Sequence, residues 1–235
     1  MVIPTYLERA FEPNFEAQQE YDLQIDGGES KIELSTLAFT VKNLGRLKIK
    51  HGRIVACDPF NADDDVSIKP LKADFPKGKY LCEVSVACID ESAEEYVGFA
   101  RIRFSNELPV RWELAVREGE NAETYANKDD FGYPVSSAIG GFMDISAQKE
   151  YKTLVKKNAD YWDQIEDEMA ERDEKACGSM IWAMDDTNMA LFPSGYGDGT
   201  YPTYIGYDEE GRICRLVTDF LVIDADAEIL NQVNI

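Results

Sequence analysis

Histidine is almost absent: one residue, His51, in a chain of 235. Any histidine-based metal site or nucleophile–histidine–acid arrangement would have to run through that single imidazole. His51 sits in a basic strand-turn, Lys48-Ile-Lys-His-Gly-Arg53, and reads as an exposed turn residue. Cysteine is scarce and odd in number, with five residues: Cys57, Cys82, Cys88, Cys177 and Cys214. No Cys-x-x-Cys pair occurs, which argues against both a zinc site and a disulfide framework. Most of the cysteines lie in apolar runs, as buried free thiols do. Neither a metal nor a cofactor is called for by these residues. Positive charge is short: 24 Lys and Arg stand against 45 Asp and Glu, for a net charge of −21. That argues against nucleic acid and against an anionic membrane as direct partners, and leaves a basic protein as the partner class that charge favours. No run approaches the roughly 18 apolar residues of a membrane span. A basic region followed by an apolar one is missing at the N-terminus, so the expectation is a soluble, cytoplasmic protein. There is no Ser/Gly/Pro-rich linker, no low-complexity tract and no internal repeat. The reading is one domain over 1–235, with 1–35 a loosely attached N-terminal segment.

What is present centres on one stretch, Phe192-Pro-Ser-Gly-Tyr-Gly-Asp-Gly-Thr-Tyr-Pro-Thr-Tyr-Ile-Gly-Tyr-Asp208. Gly195, Gly197 and Gly199 surround Asp198, and Tyr196, Tyr201, Tyr204 and Tyr207 are interleaved. Glycines at alternate positions mark a tight loop, because glycine is used where φ is positive or the backbone must approach closely. One reading is a ligand loop with a carboxylate ringed by tyrosines. The plainer one is a hairpin whose glycines are geometric and whose tyrosines are half-buried. A phosphate loop is excluded, since no Gly-Lys-Ser/Thr follows and Asp198 would repel phosphate. Asp208-Glu-Glu-Gly211 predicts a hairpin turn with Gly211 in the left-handed region. The β-branched run after Arg212 predicts a strand over 212–223.

The same stretch carries a resemblance. Ser194 to Asp208 and Leu216-Val-Thr-Asp-Phe220 resemble the bacterial family called domain of unknown function 4241. Gly52-Arg-Ile-Val-Ala-Cys-Asp-Pro-Phe60, Pro76-Lys-Gly-Lys-Tyr80, Ala100-Arg-Ile-Arg-Phe-Ser105, Val110-Arg-Trp-Glu113 and Gly141-Phe-Met-Asp144 are similar to it as well. The resemblance runs from about Leu44 to Val222. It implies a single compact bacterial domain and brings no activity and no catalytic residues with it.

Elsewhere the periodicity is mostly that of strands. Short strands are predicted over 39–44, 46–50 and 53–57, the last ended by Asp58-Pro. Residues 79–88 and 96–105 alternate and form a hairpin, with Cys82, Val84, Val86, Ala100, Ile102 and Phe104 on one face. Glu83, Arg101 and Arg103 fall on the other face, where the arginines either pair with Glu83 or line a cleft. Further strands are predicted over 109–116, 177–184 and 188–192. The acidic run Asn61-Ala-Asp-Asp-Asp-Val66 lacks the alternation and central glycine of a calcium loop. A short helix is expected around 15–21, and the tail 227–233 reads as helical.

Residues 147–175 predict a long amphipathic helix, with Tyr151, Val155, Asn158, Trp162, Ile165 and Met169 on one face and Asp144 or Ser146 as its cap. Its lysines come early and its acids late, which opposes the helix dipole at both ends. Two explanations fit: the helix breaks near Asn158, or the acidic end faces a basic partner. The fold class expected is α+β, mainly antiparallel sheet with one long amphipathic helix packed on it.

Function divides into two expectations, beside a structural or accessory domain with no ligand of its own. The first is a non-enzymatic acidic binding protein, immunity-like, that neutralises a basic protein partner. The second is a small-ligand-binding protein or hydrolytic enzyme with a carboxylate site at the Gly-Asp-Gly loop. The residues singled out for binding a ligand or partner are Asp198, Tyr201, Tyr204, Asp208, Asp219, Arg103, Glu113 and Asp144. Asp219 draws attention because it interrupts an apolar strand, and a carboxylate facing inward there needs a partner.

Overall fold

Two sheets and two helices stack in three layers in the computed structural model, which describes residues 12, 19–26, 32–61, 68–89, 95–121, 131–172, 177–222 and 228–234. For 19–26, 32–37 and 228–234 it describes the backbone alone. The first strands are β1 (Gln19–Asp26), β2 (Ile32–Ile49), β3 (Ile54–Cys57), β4 (Gly78–Ile89), β5 (Glu95–Arg103), β6 (Arg111–Leu114), β7 (Tyr133–Val135) and β8 (Ile139–Asp144). Helices α1 (Ile145–Lys157) and α2 (Tyr161–Glu171) follow. The remaining strands are β9 (Met180–Ala183), β10 (Asn188–Pro193), β11 (Gly199–Tyr201), β12 (Thr203–Tyr207), β13 (Ile213–Asp219) and β14 (Glu228–Asn234). Among the described residues, no helix is long and apolar enough to cross a membrane.

The large sheet has eight strands in the order β14-β1-β2-β4-β5-β13-β12-β6, and the small sheet has four, β3-β8-β10-β9. A two-stranded ribbon joins β11 to β7. Every strand pairing is antiparallel. Cys82, Ile102, Leu216 and Ile205 form one cross-strand row on the inner face of the large sheet. That face shares a core with Ile54, Ala56, Phe142, Ala190 and Phe192 of the small sheet. The opposite face of the small sheet offers Val55, Cys57, Met143, Met189 and Leu191 to Ala147, Tyr151, Tyr161, Ile165 and Met169 of the helices. The small sheet is therefore buried on both faces. Its strands accordingly read as unbroken apolar runs rather than as alternation.

β2 is a single strand, where two short ones were predicted. Its register against β4 shifts between Asn43 and Gly45, and Asn43 Oδ1 accepts from Gly45 N (2.9 Å). Such a bulge lets one strand bend without ending. Beyond the bulge, the edge of β2 meets the small sheet through one side chain. Asn188 Oδ1 accepts from Lys48 N (2.8 Å) and Asn188 Nδ2 donates to Arg46 O (2.9 Å). The carboxamide thus supplies the acceptor and donor that a neighbouring strand would supply, and it ties the two sheets together.

The long helix predicted over 147–175 is two helices. Asn158 adopts extended backbone (φ −132°, ψ 109°) and its Oδ1 accepts from Asp160 N (3.1 Å). The break resolves the charge paradox. Lys156 and Lys157 fall in the last turn of α1 and Asp163 in the first turn of α2, each where the dipole favours it.

Other expectations are corrected at the chain's ends. The tail, read as helical, is strand β14, paired with β1. Gln19–Asp26 is strand, so the helix expected around 15–21 does not include residues 19–21, and 15–18 lie outside the described residues. Residues 19–26 and 32–35 of the N-terminal segment are strand, with 23–26 paired to 32–35. The acidic run 62–66 also lies outside the described residues.

Replacing Asn188 with Ala removes both bonds of the inter-sheet joint. The expected cost is about 1–3 kcal/mol of unfolding free energy by urea titration, since it orphans a backbone N–H and a C=O together. A variant as stable as the parent would show that the joint is incidental.

Candidate functional site

The Gly-Asp-Gly loop folds on itself. Gly195 has φ +55°, and a Cβ there would lie 2.8 Å from the carbonyl oxygen of Phe220. Ser194 Oγ donates to Gly197 O (2.7 Å). The Tyr201 hydroxyl is shared between Ser194 O (3.0 Å) and Gly197 O (2.7 Å). Asp198 Oδ1 accepts from Ala138 N (3.1 Å), a residue itself held at φ +58°. The ribbon that follows is close-fitting: a Cβ on Gly132 would fall 2.2 Å from Tyr201 O. Tyr201 thus serves the loop's own backbone, and Asp198 ties the loop to the turn before β8. Tyr196 is exposed and packs on Tyr96 at 4.9 Å.

Asp208 lies at the far end of the same hairpin and builds its turn. It accepts from Glu210 N (3.1 Å), Arg212 N (2.8 Å) and Arg212 Nε (2.9 Å), and Gly211 takes the expected left-handed φ of +75°. Burial pushes the Asp208 carboxyl up, but the amide and guanidinium of Arg212 outweigh it and hold it below the usual range. Glu113 is exposed on edge strand β6 and pairs with Arg111 two residues away.

Asp144 is fully buried and is the N-cap of α1, as expected. Its Oδ1 accepts from Ser146 N (2.9 Å) and Ser146 Oγ (2.6 Å), and its Oδ2 accepts from His51 N (2.9 Å). The His51 ring is half-exposed in its turn and sets Nδ1 3.0 Å from Asp144 Oδ1. Burial pushes the Asp144 carboxyl up; the donors from Ser146 and His51 overcome this and leave it below its ordinary value. An aspartate–histidine pair is therefore present, but the serine beside it bonds the aspartate rather than the imidazole. Among the described residues no nucleophile is hydrogen-bonded to the imidazole. Asp58 is also structural: its two oxygens accept from Phe60 N, Ser136 N, Ser137 N and Ser137 Oγ at 2.8–3.0 Å. None of the five cysteines forms a disulfide. Burial pushes the Cys57 thiol up to about 12 and the Cys214 thiol up to about 11, which makes neither a thiolate nucleophile near neutrality.

Three of the residues singled out share one surface. Arg103, Tyr204 and Asp219 lie on the outer face of the large sheet, opposite the core row. Asp219 is fully buried, and its Oδ1 accepts from Leu221 N (2.9 Å). Burial, and then the charge of Asp219, raise the Tyr204 hydroxyl above its ordinary value. Beside them lie two arginines with no exposed surface at all, Arg101 and Arg215. Arg101 Nε donates to Glu83 Oε2 (2.9 Å), realising the expected cross-strand pair, and Arg103 Nη1 stands 3.9 Å from Glu83 Oε1. Glu12 bridges the two buried arginines, with Oε1 2.8 Å from Arg215 Nε and 3.2 Å from Arg101 Nη1. Burial pulls Arg101 below its ordinary value against the opposing charges of Glu12 and Glu83.

Arg215 and Glu12 were not singled out from the sequence. A signal for Arg215 was there: Arg215, Val217 and Asp219 alternate within an apolar strand, so the rule that flagged Asp219 applies to Arg215 as well. Glu12 had none, because it reaches the sheet across 203 residues of chain.

A second charged surface is the outward side of α2. Tyr161, Ile165 and Met169 are buried beneath it, while Asp163, Glu166, Asp167 and Glu171 are exposed. Among the described residues none of these four acids forms an ion pair; the pair on this helix is Glu168 with Arg172 (2.6 Å).

Residues 47–218 match the family described as Protein of unknown function (DUF4241), and the chain belongs to that family. No curated protein and no solved structure matches it.

Two substitutions separate the structural roles. Tyr201→Phe removes the hydroxyl shared by two loop carbonyls and should cost about 1 kcal/mol, more than Asp198→Ala at its exposed bond; the reverse order in urea unfolding would contradict this account of the loop. Because the folded-state carboxyl of Asp144 lies below its unfolded value near 3.9, its contribution is fully present above about pH 4 and is lost as pH falls through the lower, folded value. Asp144→Asn should therefore cost about 1–3 kcal/mol near pH 7, and the gap to the parent should close only at more acid pH. A gap that is flat down to about pH 2 would contradict this.

Proposed function

We propose that this member of the DUF4241 family is a non-enzymatic binding protein that docks a basic protein partner through the outward face of α2. The observation that carries the reading is the set of four exposed acids on three turns of helix, Asp163, Glu166, Asp167 and Glu171, with no ion pair among the described residues. Once the helix breaks at Asn158, the charge pattern at the joint is accounted for by the dipoles. The acids further along α2 are not. Glu166, Asp167 and Glu171 approach a helix C-terminus, where negative charge is unfavourable. Their presence suits an external cation better than it suits the helix. A net charge of −21 would steer a basic partner toward this surface and speed its encounter. Neutralisation of a toxin-like basic protein is one use of such a surface.

The alternative, a ligand or hydrolytic site at the Gly-Asp-Gly loop, has no observation in its favour. Asp198 is engaged by the backbone N–H of Ala138 and Tyr201 by two carbonyls of the loop.

The test compares the parent with a variant carrying Asp163→Lys, Glu166→Lys, Asp167→Lys and Glu171→Lys as baits in lysate of the source organism. The parent is expected to capture a basic protein at low salt and release it near 0.5 M salt. The variant should bind that protein about tenfold more weakly or worse. Capture that is insensitive to salt, or equal for both baits, would overturn the reading.

A further inference from the structure

Glu12 is held as a bound carboxylate is held. Arg215 Nε donates to Glu12 Oε1 (2.8 Å) and Arg215 Nη2 to Glu12 Oε2 (3.2 Å), a two-bond fork. Arg101 Nη1 adds a third bond to Oε1 (3.2 Å). Both guanidiniums are completely buried. Paired, charge-assisted bonds from a rigid guanidinium are the usual means of recognising a planar carboxylate.

The two guanidiniums have anchors that do not depend on Glu12. Arg215 Nη1 donates to Ser105 O and Cys214 O, both at 2.9 Å. Arg101 is gripped by Glu83 through Nε (2.9 Å) and Nη2 (2.8 Å). Their strands lie side by side in the ladder, with Arg215 opposite Arg103 and Val217 opposite Arg101. Glu12 comes from outside this framework. It is 89 residues from Arg101 and 203 from Arg215 in sequence. The planar two-bond fork from Arg215 suits a carboxylate.

We propose that Arg101 and Arg215 form a preorganised carboxylate-binding site on the outer face of the large sheet, and that Glu12 occupies it as a ligand supplied by the chain itself. A small free monocarboxylate takes the same place when Glu12 is removed. In the parent protein the tethered carboxylate competes at an effective concentration of the order of millimolar or above, so weak external carboxylates are kept out. The site is independent of the acidic face of α2. The helices pack on the small sheet, on the far side of it from the large one.

The test uses the full chain carrying Glu12→Ala, with acetate as the probe and chloride at matched ionic strength as the control. The thermal midpoint of the variant should lie about 5–15 °C below the parent, the consequence of leaving a buried charge unpaired. Acetate should restore part of that loss saturably, and chloride should not. The parent, and the double variant Glu12→Ala with Arg215→Gln, should show no acetate-specific gain. An unchanged midpoint, an equal response to both salts, or a gain that survives Arg215→Gln would overturn the proposal. If Glu12→Ala is not recovered folded, its refolding yield from urea in acetate against chloride gives the same readout: a higher yield in acetate supports the site and equal yields overturn it.

Discussion

Two arginines without exposed surface cannot stay charged on a sheet face unless carboxylates meet them there. That constraint organises the outer side of the molecule. Glu83 answers Arg101 from the adjacent strand, and Glu12 answers both arginines from the far N-terminal end of the chain. The arginines in turn sit on β5 and β13, neighbours in the centre of the eight-stranded sheet. Removing either carboxylate leaves an uncompensated charge in a place water does not reach, which costs far more than losing an ordinary surface pair. The inner face of the same strands meets the small sheet through apolar contacts. The outer face buries apolar residues as well, Phe99 and Val217 among them, and adds a few charges whose partners are specific.

The rest of the fold follows from what the small sheet must cover. Its strands are apolar on both sides, so they need the large sheet on one face and helices on the other. Two joints fix the layers relative to one another. Asn188 completes hydrogen bonds of β2 from the small sheet, and Asp144 ends β8, starts α1 and holds the turn containing His51. The conspicuous glycine-rich loop plays a similar part: its tyrosine closes its own backbone and its carboxylate ties it to the turn before β8.

Much of this was legible in the sequence wherever local chemistry decides. The hairpin of β4 and β5, the turn at Asp208 to Gly211, the Asp144 cap and the buried Asp219 all follow from spacing and residue type within a few positions. The break at Asn158 was legible too, since the reversed charges of one long helix signalled it, although the continuous apolar face of 147–175 hid it. The illegible parts depend on contacts distant in sequence. The tail 228–234 is a strand only because β1 pairs with it, and nothing in Glu-Ile-Leu-Asn-Gln-Val-Asn distinguishes it from a helix. Arg101 and Arg103 looked alike, yet one is buried and the other reaches water, a difference set by neighbours across the sheet. Glu12 stands in the sequence as one of four glutamates at intervals of four, Glu8, Glu12, Glu16 and Glu20, and nothing local sets it apart.

The central claim is that Glu12 and Arg215 act as one buried unit, and a double-mutant cycle tests it most directly. Unfolding free energies of the parent, Glu12→Gln, Arg215→Gln and the double variant give their coupling. The account predicts a coupling above about 1 kcal/mol, with the double variant no less stable than the worse single variant. Additive costs, within about 0.5 kcal/mol, would contradict it.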